Sequence, residues 1–537
     1  MTNLQLARGS QPLRHIGIVD VGSNSVRFML AEVHSDLSFQ VVDQWKEVLR
    51  LGDEYDELGA IPEHKCDHLI STLLLFKRLG ESYLNCEIIA VATAALRKAT
   101  NQELILHRIK EETGIQLSII SGEAEAYLDY LAVISTMNVK DALMLDIGGG
   151  SLELVWIENR EMRASISLPV GALTLAGEFD VRDQLSAEEE DNLTAASLQW
   201  LEQVPWLERT KGLPLIGVGG TMRTIAKMDK AERRYPFDSL HHYEVVSNDV
   251  LNWHERLKGM CLAQKEAVPG LAKDRADIIM GSFTLVSVWI RALQIPRLLV
   301  SAKGVRDGAL FEVLRKEGLS IDEPLMFSVH NLMHRLHLNE RHAYQVDKLM
   351  DMLFDQLQPL HDLGPEWKRI VRTSALLHDS GIAIHHLERE RHAFYMIMNA
   401  DLYGLTPREV ILSGLIASMD RKQKLNESWK AYDALLLPQD KQAVRVLGLL
   451  LRLAVGFDRM RTSSVESIRC EIHRQDVVLH ARADTPLLLE VSEAYSLRAS
   501  FRKWLKHDLV IVADVIPRGD RRYNQAVDQR KTAEHTD

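Results

Sequence analysis

The sequence has few cysteines and no long apolar run. Its four cysteines lie far apart in 537 residues, without a Cys-x-x-Cys pair. This spacing argues against a zinc site or a disulfide framework and favours reduced thiols in a cytosolic protein. No stretch approaches about 18 uninterrupted apolar residues, and the first residues contain no apolar signal-peptide core. We therefore expect a soluble, cytoplasmic protein that is neither secreted nor inserted in a membrane.

The chain also lacks an excess of positive charge. It has 64 Lys and Arg against 75 Asp and Glu, a formal net charge of −11. This balance excludes a general nucleic-acid binder or a protein held on an anionic membrane surface. A polyanionic ligand would need a local site of cations or backbone amides. If there is such a ligand, we predict a positive cleft within an acidic surface.

Hydrophobic patterning divides the chain into three parts. Up to about residue 318, short β-branched runs alternate with amphipathic segments, which predicts an α/β architecture. Residues 319–465 have almost only helical periodicity, and residues 466–537 return to period two, which predicts a small α+β domain with a frayed polar end. Predicted strands are 16–20, 87–93, 116–120, 143–146, 152–157, 215–218, 298–300, 468–472, 477–481 and 487–491. Predicted helices are near 63–79, 99–113, 123–135, 187–204, 221–228, 247–264, 276–293 and 304–317.

One motif occurs twice. Asp20-Val-Gly-Ser-Asn-Ser25 and Asp146-Ile-Gly-Gly-Gly-Ser151 each follow an apolar run and precede another. We interpret them as one strand–turn–strand unit, used once in each of two related lobes. Small residues let backbone N–H groups approach a phosphate, and the aspartate would meet it through Mg²⁺ or water. A single turn could be an ordinary hairpin, but two matched turns favour phosphate binding by Asp20, Gly22, Ser23, Asn24, Ser25, Gly148, Gly149, Gly150 and Ser151.

A third glycine cluster, Gly217-Val-Gly-Gly-Thr221, stands between a predicted strand and a predicted helix. Backbone amides at a helix N-terminus suit an anion or a nucleotide. Taken with the two repeated turns, this cluster adds Gly219, Gly220 and Thr221 to the predicted phosphate-binding residues.

Three charged residues beside these motifs have two interpretations each. Glu125, in Ser121-Gly-Glu-Ala-Glu125, is either a general base or a helix-stabilising acid in a first turn. Arg97 is either a phosphate clamp or a surface arginine. Glu153, which corresponds to Arg27 in the repeat, is either an Mg²⁺ ligand or a solvent-facing strand residue.

The motifs together resemble those of the Ppx/GppA phosphatase family, the exopolyphosphatases and guanosine pentaphosphate phosphohydrolases. The resemblance implies a two-lobed α/β core of the actin/hexokinase/Hsp70-like (ribonuclease H-like) fold. An all-α HD-like domain and a small β-containing C-terminal domain would follow it. The implied bounds are 1–135 and 136–318 for the lobes, with the 304–317 helix packing on the first lobe, then 319–465 and 466–537. The matching stretches, in family order, are 20–25, 92–97, 120–126, 146–153, 217–221, 275–279 and 300–306.

The resemblance also implies roles for residues. Glu125 would be the base for the attacking water, Arg97 a phosphate contact, and Asp146 and Glu153 would be associated with Mg²⁺, or Mn²⁺ in its place. Potassium dependence stays open. In one departure, Ala124 replaces the family's first glutamate, and loss of that charge should lower the pKa of Glu125 slightly. Hinging of the two lobes would exclude bulk water from the cleft.

The helical part contains His342, His378, Asp379 and Asp458 in the His…His-Asp…Asp order of metal-dependent HD phosphohydrolases, which it resembles. Val455 stands where related members often have an aspartate. A metal site needs all its ligands to converge. We therefore expect a degenerate, non-catalytic HD site in a domain that extends the substrate groove and a dimer interface.

Several functions compete. The leading one is removal of terminal orthophosphate from inorganic polyphosphate, because a long substrate needs an extended channel and the form with a helical domain would supply it. The alternative, removal of the 5′-phosphate from guanosine pentaphosphate, would use the same base. A kinase would need an acceptor site and a catalytic aspartate for which there is no motif, and the intact acids disfavour a non-enzymatic sensor. The resemblance suggests a homodimer, and Arg27, Lys303 and Arg306 are candidates to line the cleft.

Overall fold

The structure, a computed structural model, describes residues 13–419 and 429–515. The chain divides into two compact units, Met1–Phe327 and Ser328–Asp537. The predicted frayed end, residues 517–537, lies outside the described residues.

The first unit contains two β-sheets. One has the strand order β3-β2-β1-β4-β5, and the other has the order β10-β11-β9-β6-β7-β8. The strands of the first sheet are β1 Arg14–Val21, β2 Ser25–Val33, β3 Phe39–Val48, β4 Cys86–Ala92 and β5 Leu117–Ile119. The strands of the second are β6 Ala142–Ile147, β7 Leu152–Glu158, β8 Glu161–Leu168, β9 Leu215–Val218, β10 Tyr243–Val246 and β11 Arg297–Val300.

The two sheets repeat one topology. In the first, β1, β2 and β3 are antiparallel neighbours, and β4 joins the other side of β1 in parallel. In the second, β6, β7 and β8 form the same antiparallel meander, and β9 joins β6 in parallel. Each repeated motif lies at the turn of the first hairpin of its sheet. The sequence interpretation of a unit used twice is confirmed.

Helices cover the sheets of the first unit. They are α1 Glu63–Glu81, α2 Ala94–Lys98, α3 Gln102–Thr113, α4 Gly122–Thr136, α5 Ala172–Glu178, α6 Ala187–Glu202, α7 Gly219–Arg233, α8 Ser247–Lys258, α9 Leu262–Glu266, α10 Lys273–Ala276, α11 Ile279–Ala292 and α12 Val305–Lys316. A 3₁₀ segment spans Pro205–Thr210.

Helix α4 lies on the second sheet, although its residues were predicted to belong to the first lobe. Its buried Ala126 and Val133 share a core with Met144 of β6 and Val155 of β7. Burial of this apolar face, rather than position along the chain, decides where the helix packs. Helix α12 contacts both α4 and β1.

The second unit is helical and ends in a three-stranded sheet of order β12-β13-β14. The helices after α12 are α13 Pro324–Arg335, α14 Glu340–Gln356, α15 Gln358–His361, α16 Lys368–Leu377, α17 Arg389–Met398, α18 Pro407–Ala417, α19 Asp440–Phe457, α20 Leu488–Tyr495 and α21 Arg498–Leu505. The strands are β12 Val465–Ile472, β13 Asp476–Ala483 and β14 Asp508–Val515. Short 3₁₀ segments span Pro365–Trp367, Ser380–Ala383 and Asp433–Leu435.

The predicted strand at 487–491 is wrong, because the chain forms α20 there. Leu487, Glu490, Ala494 and Leu497 are buried, whereas Leu488 is 85% exposed. Burial that recurs every three or four residues is typical of a helix face. The third strand of the sheet is β14, which the sequence patterning missed.

Two absences expected from the sequence can be checked in the described residues. All four cysteines are free. In the described part of the chain, no helix is both long enough and apolar enough to span a bilayer.

Candidate active site

The two repeated turns have the same backbone geometry. Gly22 N–H donates to the carbonyl oxygen of Ser25 at 3.1 Å, and Gly148 N–H donates to that of Ser151 at 3.0 Å. The strands after each turn also pair in the same register. Asp20 lies opposite Arg27 in the first hairpin, and Asp146 lies opposite Glu153 in the second.

The two turns pack against each other at close range. A Cβ atom placed on Gly149 would lie 2.9 Å from the Cβ of Ser23, and one on Gly150 would lie 2.8 Å from the Ser23 hydroxyl. Both distances are shorter than a side chain tolerates. Only glycine fits at these positions, which brings the backbone of the second turn directly onto the first.

The third glycine cluster closes the site from the second sheet. Gly219 begins α7 with φ +82°, and a Cβ there would lie 2.0 Å from Asp146 Oδ1. Positive φ and this approach both require glycine. Thr221 was predicted to bind phosphate but does not line the cavity. It is fully buried, and its hydroxyl hydrogen-bonds with that of Ser282 at 3.1 Å.

These elements enclose one cavity, and most of the predicted site residues line it. Three of them, Arg97, Glu153 and Thr221, are not among the residues that line the cavity. The side-chain amide of Asn24 is buried, and neither its nitrogen nor its oxygen has a hydrogen-bond partner among the described residues. Because buried polar groups are normally hydrogen-bonded, this amide is suited to bind a ligand. The predicted residues that line the cavity are Asp20, Gly22, Ser23, Asn24, Ser25, Glu125, Asp146, Gly148, Gly149, Gly150, Ser151, Gly219 and Gly220.

Glu125 lies in the first turn of α4 and faces the cavity. Ser121 caps the helix by accepting a hydrogen bond from Ala124 N–H at 3.2 Å. Arg97 donates to Glu125 at 3.4 Å and to the carbonyl oxygen of Ile120 at 2.8 Å, so it holds the carboxylate rather than lining the cavity.

The pKa of Glu125 is raised well above its ordinary value. Burial is the main cause, followed by the charges of Glu153 and Asp146, while Arg97 opposes them. A carboxyl with a raised pKa suits proton transfer near neutral pH.

Asp129 is a site residue that the sequence analysis missed. It lies one turn after Glu125 on α4 and is fully buried; neither oxygen accepts a hydrogen bond from a donor among the described residues, and its carboxyl lies beside that of Asp146. Burial first, and then the neighbouring Asp146, raise its pKa well above the ordinary value. The i, i+4 spacing from Glu125 was the available signal, because it places both acids on one helix face.

Four carboxylates therefore converge near the second sheet. Burial raises the pKa of Glu153 to about 8, with Asp146 adding to the effect. Glu153 accepts a hydrogen bond from Ser167 at 2.8 Å through one oxygen, while its other oxygen and Asp146 Oδ1 have no partner in the described residues. Buried, unpartnered carboxylate oxygens are ligands that a hard divalent cation such as Mg²⁺ prefers. The residues present fit the Mg²⁺ that the resemblance implies.

The raised pKa values predict how stability depends on pH. A carboxyl whose pKa is higher in the folded state contributes stability below its unfolded value, and loses that contribution as pH rises through the folded value. For Glu153 this window runs from 4.5 to about 8. A tenfold change in proton affinity corresponds to about 1.4 kcal/mol. In the presence of a metal chelator, we therefore expect the free energy of unfolding to fall by several kcal/mol as the pH rises across this window.

Urea unfolding of wild type and Glu153→Gln at pH 5 to 8 measures this loss. The variant should lose less stability than wild type across the range, and excess Mg²⁺ should abolish the difference. Asp229→Asn removes a buried acid that is bonded to Tyr243 and Arg233 instead, and controls for loss of a buried carboxylate. Parallel pH curves for wild type and Glu153→Gln would contradict the expectation.

Arginines also line the cavity. Arg27 and Arg306, two of the predicted lining residues, are joined there by Arg223 and Arg275. The third candidate, Lys303, is not among the lining residues and lies 3.7 Å from Asp307. Among the described residues, none of these four arginines has a carboxylate oxygen within 4.0 Å. Arg223 donates only to the carbonyl oxygens of Gly219 and Ala302.

Crowding of these guanidinium groups is costly without an anion. Burial, and next the charge of Arg27, lower the pKa of Arg223 to about 10 and lower that of Arg275 as well. The same four arginines also line a second cavity, together with Lys46, Lys227 and Trp45. Arginines and buried acids therefore share one cleft, and the arginines form a local cationic site of the kind that the net charge of the chain requires for a polyanion.

The predicted HD residues also come together, in the second unit. His342 Nδ1 lies 2.7 Å from Asp458 Oδ2, and the imidazole rings of His342 and His378 are 5.2 Å apart. Asp379 Oδ1 lies 3.6 Å from His378 Nε2. Burial lowers the pKa of His378, which favours its neutral form.

Comparison with known proteins assigns the chain to a family. The model described as the Ppx/GppA phosphatase family matches residues 30–317, and that of Ppx/GppA phosphatase, domain III, matches residues 326–506. The guanosine-5′-triphosphate,3′-diphosphate pyrophosphatases of Vibrio vulnificus and Vibrio campbellii are 28% and 27% identical to the chain. Each alignment covers 85% of this chain and 89% of the relative.

Solved structures have the same fold over more than half of the chain. The exopolyphosphatase of Cytophaga hutchinsonii has a TM-score of 0.53 and 24% identity, and covers 58% of this chain and 100% of its own. The Ppx/GppA family member of Aquifex aeolicus has a TM-score of 0.51 and 26% identity, and covers 57% and 100%. The actin-like α/β fold expected from the sequence is confirmed, and the chain belongs to the Ppx/GppA phosphatase family.

Proposed function

We propose that this phosphoric anhydride hydrolase removes terminal orthophosphate from inorganic polyphosphate. The observation that carries the proposal is the wall of four arginines without carboxylate partners, Arg27, Arg223, Arg275 and Arg306. It continues from the cavity between the turns into a second cavity with two lysines. A row of like charges suits a ligand that repeats one anionic unit.

The terminal phosphoryl group would lie between the two glycine turns. Backbone N–H groups of the turns and the amide of Asn24 would donate to its non-bridging oxygens. Glu125, held by Arg97 at 3.4 Å, would orient a water molecule and accept its proton as it attacks in line with the P–O bond. The arginine wall would hold the remaining chain, which is the leaving group.

The buried acids of the cleft would hold the cation. Asp146 and Glu153, with Asp129 beside them, carry the unpartnered oxygens. When bound, Mg²⁺ would neutralise charge on the phosphate oxygens and lower the pKa values of these acids. A cation site and a group of arginines in one cleft would together suit a metal-bound polyphosphate.

Hydrolysis of guanosine pentaphosphate is the second candidate. The curated relatives above carry that activity in their names. In this chain, Trp45 is 43% exposed and lies on the wall of the second cavity, beside Lys46 and Arg27. An exposed indole next to cations suits stacking of a guanine base linked to phosphates.

Phosphate release from the two substrates, measured side by side with Mg²⁺, separates the candidates. We expect higher kcat/KM on long-chain polyphosphate. Trp45→Ala should change that value less than twofold, because a phosphate chain offers nothing to stack. A preference for guanosine pentaphosphate that Trp45→Ala lowers about tenfold would favour the second candidate. Release from neither substrate would contradict both.

A further inference from the structure

The structure assigns a metal site to the second unit, in place of the degenerate HD site expected from the sequence. We propose that His342, His378 and Asp379 bind one first-row divalent transition metal ion. One potential ligand atom from each residue lies within 4.8 Å of the other two, and all three residues are buried. This site is separate from the acids of the proposed hydrolytic site, and its presence does not depend on that function.

The two histidines are held in the tautomer that a metal needs. His342 Nδ1 lies 2.7 Å from Asp458 Oδ2, and His378 Nδ1 lies 2.8 Å from the carbonyl oxygen of Ala375. Both partners accept hydrogen bonds, so each imidazole carries its proton on Nδ1. Each Nε2 then presents a lone pair to the space beside Asp379. A carboxylate or carbonyl on the far nitrogen is the usual support of a metal-bound histidine.

One of these nitrogens lacks a partner. His378 Nε2 is buried, in a side chain only 7% exposed, and has no hydrogen-bond partner among the described residues. It lies 3.6 Å from Asp379 Oδ1, and His342 Nε2 lies 3.9 Å from Asp379 Oδ2. A buried lone pair without a donor is costly, and a metal ion would satisfy it.

Asp379 also contacts two arginines. Its Oδ2 accepts a hydrogen bond from Arg461 at 2.6 Å, and its Oδ1 lies 3.4 Å from Arg389. A carboxylate has about four acceptor positions, so these contacts leave room for a metal. Ligating carboxylates are themselves usually hydrogen-bonded. The competing interpretation is that Arg461 serves as a built-in cation and replaces the metal.

The donor set indicates the kind of ion. Two imidazole nitrogens and one carboxylate oxygen suit Mn²⁺, Fe²⁺, Co²⁺ or Zn²⁺ better than Mg²⁺, which prefers oxygen alone. Val455 and Arg389 line the same cavity as His378 and Asp379. Since Val455 offers no ligand there, the ion would have three protein ligands and open positions toward the cavity, as in catalytic rather than structural sites.

Co²⁺ titration of the full chain, freed of metal by a chelator, tests the assignment. The Asp146→Asn background removes a ligand of the other proposed cation site. We expect one Co²⁺ per chain with the visible absorption of a nitrogen-ligated ion, and spin-echo modulation of bound Mn²⁺ that reports imidazole nitrogen. His378→Asn should abolish both signals. Asp458→Asn should keep them but weaken binding about 10–100-fold, because it disturbs only the support of His342.

His361→Asn is the matched control in the same unit. His361 Nε2 contacts the carbonyl oxygen of Phe354 at 2.8 Å, and the residue lies outside the metal cluster, so this variant should bind Co²⁺ as the background does. Circular dichroism establishes that each variant is folded. If Co²⁺ and Mn²⁺ show no imidazole coordination in the folded background protein, the assignment is overturned and Arg461 is the cation of this cluster.

Discussion

Glu125→Gln should lower kcat on the preferred substrate by about 10²–10⁴-fold and leave KM within a few-fold of wild type. The amide has the shape of the carboxylate and can still accept a hydrogen bond from Arg97, but it cannot take a proton from water. Glu125 lines the cavity, whereas the four arginines would hold the substrate chain. Its loss therefore affects the reaction more than binding.

Glu123→Gln is the matched control for this variant. Glu123 lies in the same first turn of α4, but its side chain is exposed, and it is not among the residues that line the cavity. Steady-state kinetics with Mg²⁺ should show near wild-type turnover for Glu123→Gln. Equilibrium binding of substrate should be similar in all three proteins. A kcat for Glu125→Gln within about fivefold of wild type would show that another group accepts the proton.

Arg275→Met should weaken substrate binding at least about 30-fold, since removal of one partner from a desolvated charge pair costs about 2 kcal/mol or more. The guanidinium lies on the wall shared by both cavities. Burial and the charge of Arg27 already lower its pKa. Arg275 is thus an unfavourable charge until an anion binds, and the substrate gains from neutralising it.

The same substitution should raise the melting temperature of the ligand-free protein. Methionine keeps the aliphatic length of the side chain and removes a crowded charge. Arg209→Met is the control, because Arg209 is exposed and stacks over Trp156 at 5.8 Å, outside both cavities. Thermal melting and substrate titration of the two variants measure both effects. Unchanged affinity for polyphosphate in Arg275→Met would exclude the arginine wall from substrate binding.

Local sequence patterns were sufficient to predict the turns of the site. Each turn is specified within a few residues, by an apolar strand, an aspartate and small residues. Alignment of the two repeats predicted that Arg27 and Glu153 occupy equivalent positions. The strand register confirms this, because Arg27 lies opposite Asp20 and Glu153 lies opposite Asp146. Gly219 and Gly220 of the third cluster line the cavity, whereas Thr221 packs inward; phosphate binding by this cluster stays a prediction.

Residues that reach the site through tertiary packing were missed. Asp129 reaches the site because α4 packs on the second sheet, and local periodicity does not specify this packing. Arg223 stands two residues after Thr221 on α7, and nothing in its neighbours indicates that it turns toward Arg27. Arg275 was part of a matching motif, but only the fold brings it against Gly220, where a Cβ would lie 1.9 Å from its guanidinium.

The packing of α4 also separates two properties of the enzyme. Glu125 and Asp129 on this helix share a framework with Asp146 and Glu153 on the second sheet, whereas Asp20 and Arg27 belong to the first sheet. A relative displacement of the two sheets would change the distance from the base to a phosphate held on the first turn. It would leave the spacing among the four acids unchanged. Occupancy of the proposed cation site and the timing of the proposed attack would therefore be controlled independently, and the protein would stay loaded with its ion between rounds of substrate.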